Sequence, residues 1–314
     1  MTTISVVIPT HRRPASLDRA LRGLARQLDP GAEWEVIVVD SDALPGTVHT
    51  SARAALDALP VRSRVVVEPM LGASNARNRG VAEGSGTIFA FLDDDVVPEP
   101  DWLTRIVEPL LAGRADATGG RVVLDPSVSR PRWLTGWLAA YLSEFDPARE
   151  EVDLRTIPSE VLSEPYVLTA NAALTAVALQ DAGGFDAALG TRAGVPFGNE
   201  ELRLCRALVA AGRTIHYVPA ARVVHELPAA RLRRSYLARR LYAQGRSDWM
   251  LDHDVFATAR SGGIRRGIEL IGSDARVAVG HDRPARPVAW LTWSLVRRAG
   301  FLREAVARFA GRRR

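Results

Sequence analysis

The stretch "FAFLDDDVVPEPDW", residues 89–102, ends an apolar run directly against three consecutive aspartates, Asp93, Asp94 and Asp95. A short, continuously apolar run bounded by turn residues reads as a strand buried on both faces. The aspartates therefore stand at a strand's carboxyl end. The same pattern recurs upstream. "ISVVIPT" runs apolar and β-branched until Pro9, "WEVIVVD" ends on Asp40, and "RVVVE" follows. Between these strands lie helix signals. "PASLDRALRGLARQL" places leucines at 17, 21, 24 and 28, "VHTSARAALDAL" predicts a helix over 48–59, and "GASNARNRGVAEG" is a helix opened and closed by glycines. Strands alternating with helices predict an α/β fold with a mostly parallel sheet covered on both faces. In such sheets ligands gather at the carboxyl ends of the strands, which would bring Pro9, Thr10, Asp40 and Asp93–Asp95 to one rim.

The second half is less regular. "ATGGRVVLD" and "YVLTANAALTA" read as strands, "EELRLCRALVAAG" as a helix closed by Gly212, and "TIHYVPAARVVHE" as a pair of strands around Pro219.

Charge divides the chain. Residues 1–226 hold 22 arginines against 29 carboxylates, and residues 227–314 hold 19 against 7. Two modules are expected: a catalytic domain over 1–226, with halves 1–124 and 125–226, and a basic helical region over 227–314. All 41 basic residues are arginine. That excludes a Walker A loop, a Schiff-base lysine and a Ser-Lys nucleophile. The single cysteine, Cys205, excludes an internal disulfide and any CxxC site. "MTTISVVIPTHRRP" lacks the basic start and long apolar run of a leader, and no run approaches the ~20 apolar residues of a membrane span. A cytoplasmic location is the expectation.

Three adjacent carboxylates at a strand end repel one another, and a divalent cation would relieve the repulsion. Mg2+ and Mn2+ prefer oxygen ligands, and Mg2+ is commonly held by one or two carboxylates together with substrate phosphates. Asp93 and Asp95 therefore form a candidate Asp-x-Asp motif for a nucleotide diphosphate bound through a metal.

In this light "ISVVIPTHRRPASLDRAL", "VIVVD", "GASNARNRG" and "FLDDDVVPEPDWL" resemble, in order, the landmarks of the family 2 glycosyltransferases, which have the GT-A fold. The likeness continues through "ANAALTAVALQDAGGFDAALG", "GNEELRLCRALVAAGRTIHYVPAARVVHE" and "RSYLARRLYAQGRSDW", over roughly residues 3 to 250. The resemblance implies an inverting enzyme that moves a sugar from a nucleotide-sugar, with a UDP-sugar favoured, to a hydroxyl acceptor, lipid-linked in many relatives. It implies that Pro9, Thr10, Asp40, Arg77, Asp93 and Asp94 serve the nucleotide, with Asp42 a helper. Asp93, Asp95 and His225 would hold Mn2+ or Mg2+. Glu201 becomes the expected general base and Glu200 its companion, by the interval to Gly212. Asn171 and the "GGFD" turn would line the acceptor side.

Other readings weigh less. A nucleotidyltransferase would show a glycine-rich loop after the first strand and a lysine, and a dehydrogenase would show GxGxxG; neither is present. A non-catalytic nucleotide- or membrane-binding module would be indifferent to Glu200 and Glu201. The tail, with Trp290, Trp293 and Phe301 among arginines, fits either an anionic membrane surface, at the inner face of the membrane, or packing on the catalytic domain. No motif supports nucleic acid.

Overall fold

A computed structural model describes residues 2–42, 52–134, 136–159, 161–191, 198–256, 265–271 and 287–311. The chain divides into two compact units, one of residues 1–187 and 200–228, the other of residues 188–199 and 229–314.

The first unit carries a nine-stranded sheet. In chain order its elements are β1 (Thr3–Thr10), α1 (Pro14–Leu24), β2 (Glu33–Asp40), α2 (Arg53–Asp57), β3 (Arg62–Val67), α3 (Ala73–Glu83), β4 (Ile88–Leu92), β5 (Val96–Pro98), α4 (Trp102–Leu111), β6 (Ala117–Leu124), α5 (Gly136–Ala139), β7 (Val152–Asp153), β8 (Asn171–Thr175), α6 (Ala176–Asp181), α7 (Glu200–Ala210) and β9 (Ile215–His225). The sheet order is β3-β2-β1-β4-β8-β6-β9-β5, with β7 on β9. The first four strands pair in parallel; β8 runs against both β4 and β6. The mostly parallel, helix-covered sheet expected from the sequence is present. Of the helix expected over 48–59, α2 forms its centre, and residues 48–51 lie outside the described residues.

The apolar runs form the core because a strand covered on both faces needs no polar alternation. Ile4, Val6, Val7 and Ile8 of β1, Val36–Val39 of β2 and Phe89–Leu92 of β4 are all buried. Close approaches are made by glycine. A Cβ on Gly80 of α3 would collide with Val7 of β1, so this helix lies against the sheet only without a side chain there.

"TIHYVPAARVVHE" departs from expectation: it forms one eleven-residue strand, β9, instead of two. Its pairing with β6 jumps from Gly120↔Val218 to Arg121↔Arg222. Pro219 has no N–H for the ladder, and the residues after it bulge out before pairing resumes. The bulged Ala221 carbonyl lies over Gly120, where a Cβ would strike it.

The second unit is helical, with α8 (Arg234–Phe256), a short helix α9 over 265–271, and α10 (Pro287–Gly311). A Cβ on Gly245 would strike the Arg297 backbone, and one on Gly300 the Tyr242 backbone, so α8 and α10 meet backbone to backbone. Trp249, Phe301 and Ala305 form their core. No helix among the described residues is long and apolar enough to cross a membrane.

Candidate active site

Parallel register brings the strand ends together. Thr10 stands opposite Asp40 at the ends of β1 and β2. Asp93 follows Leu92, the last residue of β4, and Leu92 pairs with Asn171, the first of β8. The antiparallel β5–β9 pair sets Val96 against His225, which places His225 beside the aspartates.

The three aspartates go separate ways. Asp93, about one third exposed, accepts a hydrogen bond from Arg77 Nη2 at 2.9 Å. Asp94 is buried, accepts from Thr10 Oγ1 at 2.7 Å, and faces Arg13 Nη1 at 3.1 Å. Burial pushes its carboxyl up to about 6 against the pull of Arg13. Asp95 takes a bond from the same Arg13 Nη1 at 2.9 Å and lies 3.4 Å from His225 Nε2. Arg13, half-exposed at the start of α1, was not singled out by sequence reading. Its signal was available, as a basic residue just past the first strand end.

Asp40 is buried, and its Oδ1 accepts from the Asp42 amide at 3.0 Å. Asp42 pairs with Arg12 at 3.1 Å. Pro9 and Thr10 sit on the same edge of β1, level with Val39 and Asp40.

Arg77 is the joint of the site. Its side chain is 3% exposed, donates from Nη2 to Asp93, and donates from Nη1 to Glu200 Oε1 at 3.2 Å. Burial opposes its charge, yet Asp93, Glu201 and Glu200 outweigh that and hold its pKa above the usual arginine value. Phe185 of the "GGFD" turn supports it, with the guanidinium 5.7 Å from the ring centroid. Phe185 is in turn fixed by two backbone bonds with the Asn78 side chain, 2.9 and 2.8 Å. Arg77 thus touches an aspartate at one hand and a glutamate at the other.

Glu200 and Glu201 open α7, where negative charge suits the helix dipole. Their environments differ. Glu200 is buried, and burial, reinforced by Glu201, raises its pKa well above the ordinary carboxylate range. Its Oε2 is buried with no hydrogen-bond partner among the described residues. Glu201 is partly exposed and accepts from Thr169 Oγ1 at 2.8 Å. Glu200 is thus favoured in its protonated form, while Glu201 keeps contact with solvent.

Asn171, expected on the acceptor side, is instead fully buried. Its Oδ1 accepts from Trp102 Nε1 at 2.7 Å, and its Nδ2 donates to the Arg121 and Ala221 carbonyls at 3.0 and 2.8 Å. It ties α4 to β6 and β9.

The residues present fit a divalent cation in part. His225 Nδ1 lies 2.9 Å from the Leu142 carbonyl, which makes Nδ1 a donor, and Nε2 lies on the side of Asp95. A ring nitrogen oriented by a backbone carbonyl is the usual arrangement of a metal-ligating histidine. Five carboxyl groups, Asp93–Asp95 and Glu200–Glu201, share the site with Arg13 and Arg77. Among the described residues no group of three or more His, Cys, Asp or Glu side chains is gathered as a metal site. Asp93 is held by Arg77, while Asp95 and His225 face each other. The protein therefore offers a two-ligand set that substrate oxygens and water would complete.

Comparison with known proteins agrees with this architecture. The solved structure titled "Crystal structure of GalNAc-T7 with UDP, GalNAc and Mn2+" superposes with a TM-score of 0.53 at 16% identity, over 79% of this chain and 47% of that one, and so shares the GT-A fold. Glycosyltransferase AglE of Haloferax volcanii is 32% identical over 121 residues, 38% of this chain and 39% of its own length. Succinoglycan biosynthesis protein ExoM of Rhizobium meliloti is 38% identical over 136 residues, 42% of each chain. Validoxylamine A glucosyltransferase of Streptomyces hygroscopicus subsp. limoneus is 36% identical over 152 residues, 46% of this chain and 31% of its own. The chain thus spans less than half the length of these curated relatives. The family description "Glycosyl transferase family 2" matches residues 5–161, half of the chain, over the stretch that supplies Thr10, Arg13, Arg77 and the three aspartates. The chain is a member of glycosyl transferase family 2.

Proposed function

We propose that the protein is an inverting glycosyltransferase that moves a sugar from a nucleotide-sugar, a UDP-sugar by preference, to a hydroxyl group in polysaccharide or glycoconjugate synthesis. The observation that carries this reading is the Arg77 bridge, which joins an aspartate of the strand-end rim to Glu200, next to Glu201 at the start of α7. On this reading Asp40, Asp42 and the β1 edge receive the nucleoside, and Asp93–Asp95 stand at its diphosphate. A Mn2+ or Mg2+ ion on Asp95 and His225 would supply positive charge against the leaving diphosphate. Glu201, partly exposed, takes the acceptor hydroxyl's proton as that oxygen attacks the anomeric carbon. A placed general base contributes on the order of 10²–10⁴ in rate. Glu200 keeps its proton and holds Arg77 in place without competing for the acceptor's. Arg13 supplies charge beside the diphosphate from the protein itself. The basic tail is proposed to meet an anionic membrane surface, as a lipid-linked acceptor would require.

Thermal-shift screening with UDP-, GDP- and dTDP-sugars, with and without Mn2+, identifies the donor, since a bound ligand stabilises by linkage. Glu201→Gln is expected to keep that donor-induced shift and lose transfer by at least ~100-fold; unchanged turnover would remove Glu201 from the base role. Asp95→Ala is expected to abolish the Mn2+-dependent part of the shift, and a shift equal to the parent's would remove the metal from that residue.

A further inference from the structure

Two adjacent arginines follow β1, and they part. Arg12 has φ +55°, a left-handed backbone that few non-glycine residues adopt. It pairs with Asp42, just past β2, from Nε at 3.1 Å and from Nη2 at 3.3 Å. Arg13 goes to the aspartates past β4 instead. Its backbone is fixed by α1, whose first residue is Pro14 and whose Leu17 amide donates to the Arg13 carbonyl at 3.0 Å. Proline at a helix start has its φ set in advance, so the base of the Arg13 side chain is held where the helix begins.

A guanidinium carries five N–H donors. Arg13 spends those of Nη1 on Asp94 Oδ1 at 3.1 Å and Asp95 Oδ2 at 2.9 Å. Its Nε and Nη2 meet no partner among the described residues, and its side chain is half-exposed. Arg77 differs, being buried with both Nη groups spent, on Glu200 and Asp93. Arg13 is thus anchored at one nitrogen and open at the other two. Asp94 is the enclosed end of that anchor. It is buried, and both its oxygens accept from the protein, Oδ1 from Arg13 and Oδ2 from Thr10 Oγ1 at 2.7 Å. Asp95 shares Arg13 through Oδ2 and faces His225 Nε2 with Oδ1, 3.4 Å away. All of these residues belong to the first unit.

We propose that Arg13 is the resident cation of the diphosphate site, binding phosphate oxygens of the donor through Nε and Nη2, and that Asp94 is the positioning residue that holds it there. The proposal rests on the nucleotide-sugar reading and gives Asp94 a part other than direct contact with the nucleotide. Its physical ground is twofold. The planar fork of Nε and Nη2 matches two oxygens of one phosphate. A donor aimed beforehand costs no reorganisation as the leaving diphosphate gains charge. A divalent cation on Asp95 and His225 would add to this charge and not supply all of it.

The test is isothermal titration of the full chain with inorganic pyrophosphate and with UDP, in EDTA to take divalent metal out of play. The parent is expected to bind both. Arg13→Gln should weaken both by at least ~10-fold, the scale of one charge-assisted hydrogen bond. Arg13→Lys, which keeps the charge without the fork, should recover part. Arg105→Gln, an exposed arginine of α4, should bind as the parent does. Asp94→Ala supplies a sign. Removing a carboxylate beside an anion strengthens binding by Coulomb's law alone, whereas losing an anchor weakens it. Weaker binding by several-fold is expected, partly recovered in Asp94→Asn, which keeps an oxygen for Arg13. Where Asp94→Ala does not fold, Asp94→Asn alone should still bind more weakly than the parent. Tighter binding in the Asp94 variants would show that Asp94 holds nothing in place. Equal affinity of Arg13→Gln and parent overturns the proposal, as does UDP binding that appears only with Mn2+, or an equal loss in Arg105→Gln. If the parent binds no UDP, GDP or dTDP with or without Mn2+, yet pyrophosphate binding depends on Arg13, the nucleotide-sugar reading fails and the anion site stands. A parent that binds neither nucleotide nor pyrophosphate sinks both.

Discussion

Arg77 shows how much one buried cation can organise. It lies within one helix of the rim, yet bonds Asp93 and Glu200, residues 107 positions apart in sequence order. Removing one partner of a buried charge pair typically costs about 3–5 kcal/mol, because the remaining charge stays buried. The companion glutamate carries the testable consequence. The folded pKa of Glu200 is raised, so the unfolded chain releases this proton at lower pH than the folded one. Its contribution to stability is complete below the ordinary glutamate pKa of about 4.3 and is lost as pH rises through the folded value. Glu200→Gln imitates the protonated acid. Its Tm relative to the parent, followed by differential scanning fluorimetry, should therefore climb between about pH 4 and about pH 8 and level off above. A pH-independent difference would mean that Glu200 is already ionised in the fold.

At the scale of elements, the site depends on how closely α3 approaches β1. Ala73–Glu83 was legible as a helix from its flanking glycines, with Gly72 and Gly84 as its caps. What sequence did not show is that the mid-helix Gly80 is required by Val7 beneath it. Gly80→Ala should destabilise by about 1–3 kcal/mol through overpacking, although alanine is the better helix former. A thermal melt reads this as a Tm lower by several degrees. Adding Val7→Ala should return part of the loss, since the two side chains compete for one space. A Tm at or above the parent's in Gly80→Ala alone would refute the close approach. The β9 strand teaches the converse lesson. Pro219 reads as a break between strands, but pairing on both sides of it, with β6 and with β7, keeps one strand running through a bulge.

For the whole molecule, acid is the expected weakness. Glu35 is buried at the opposite end of β2 from Asp40, accepting from Ser5 Oγ, the Ser85 amide, Arg62 and Arg64. Burial alone would raise its pKa, but these donors hold it far below the usual carboxylate range. Asp116 and Asp153 are held low in the same way by Thr214 and Arg213 and by Arg155. For such groups stability is present above the unfolded pKa, near 4, and is lost as pH falls through the folded value. Tm should drop steeply below about pH 4, and Glu35→Gln should flatten that drop. An unchanged acid limb would show that other carboxylates dominate.

The sequence by itself determined the class of fold and the location of the rim, because a strand buried on both faces must be continuously apolar and parallel strands must end together. The aspartates could be named for the same reason, since charges that follow a buried strand stand out in one dimension, whereas Arg77 and the glutamates were named through the resemblance to family 2 glycosyltransferases. Which charge meets which was decided only in three dimensions. Arg13 bridging Asp94 and Asp95, Asp93 turning to Arg77, Thr169 reaching Glu201 and Asn171 withdrawn into the core all depend on strand register and on the direction of β8. Pairing energies fall off within a few ångströms, and chain order carries no record of distances that short.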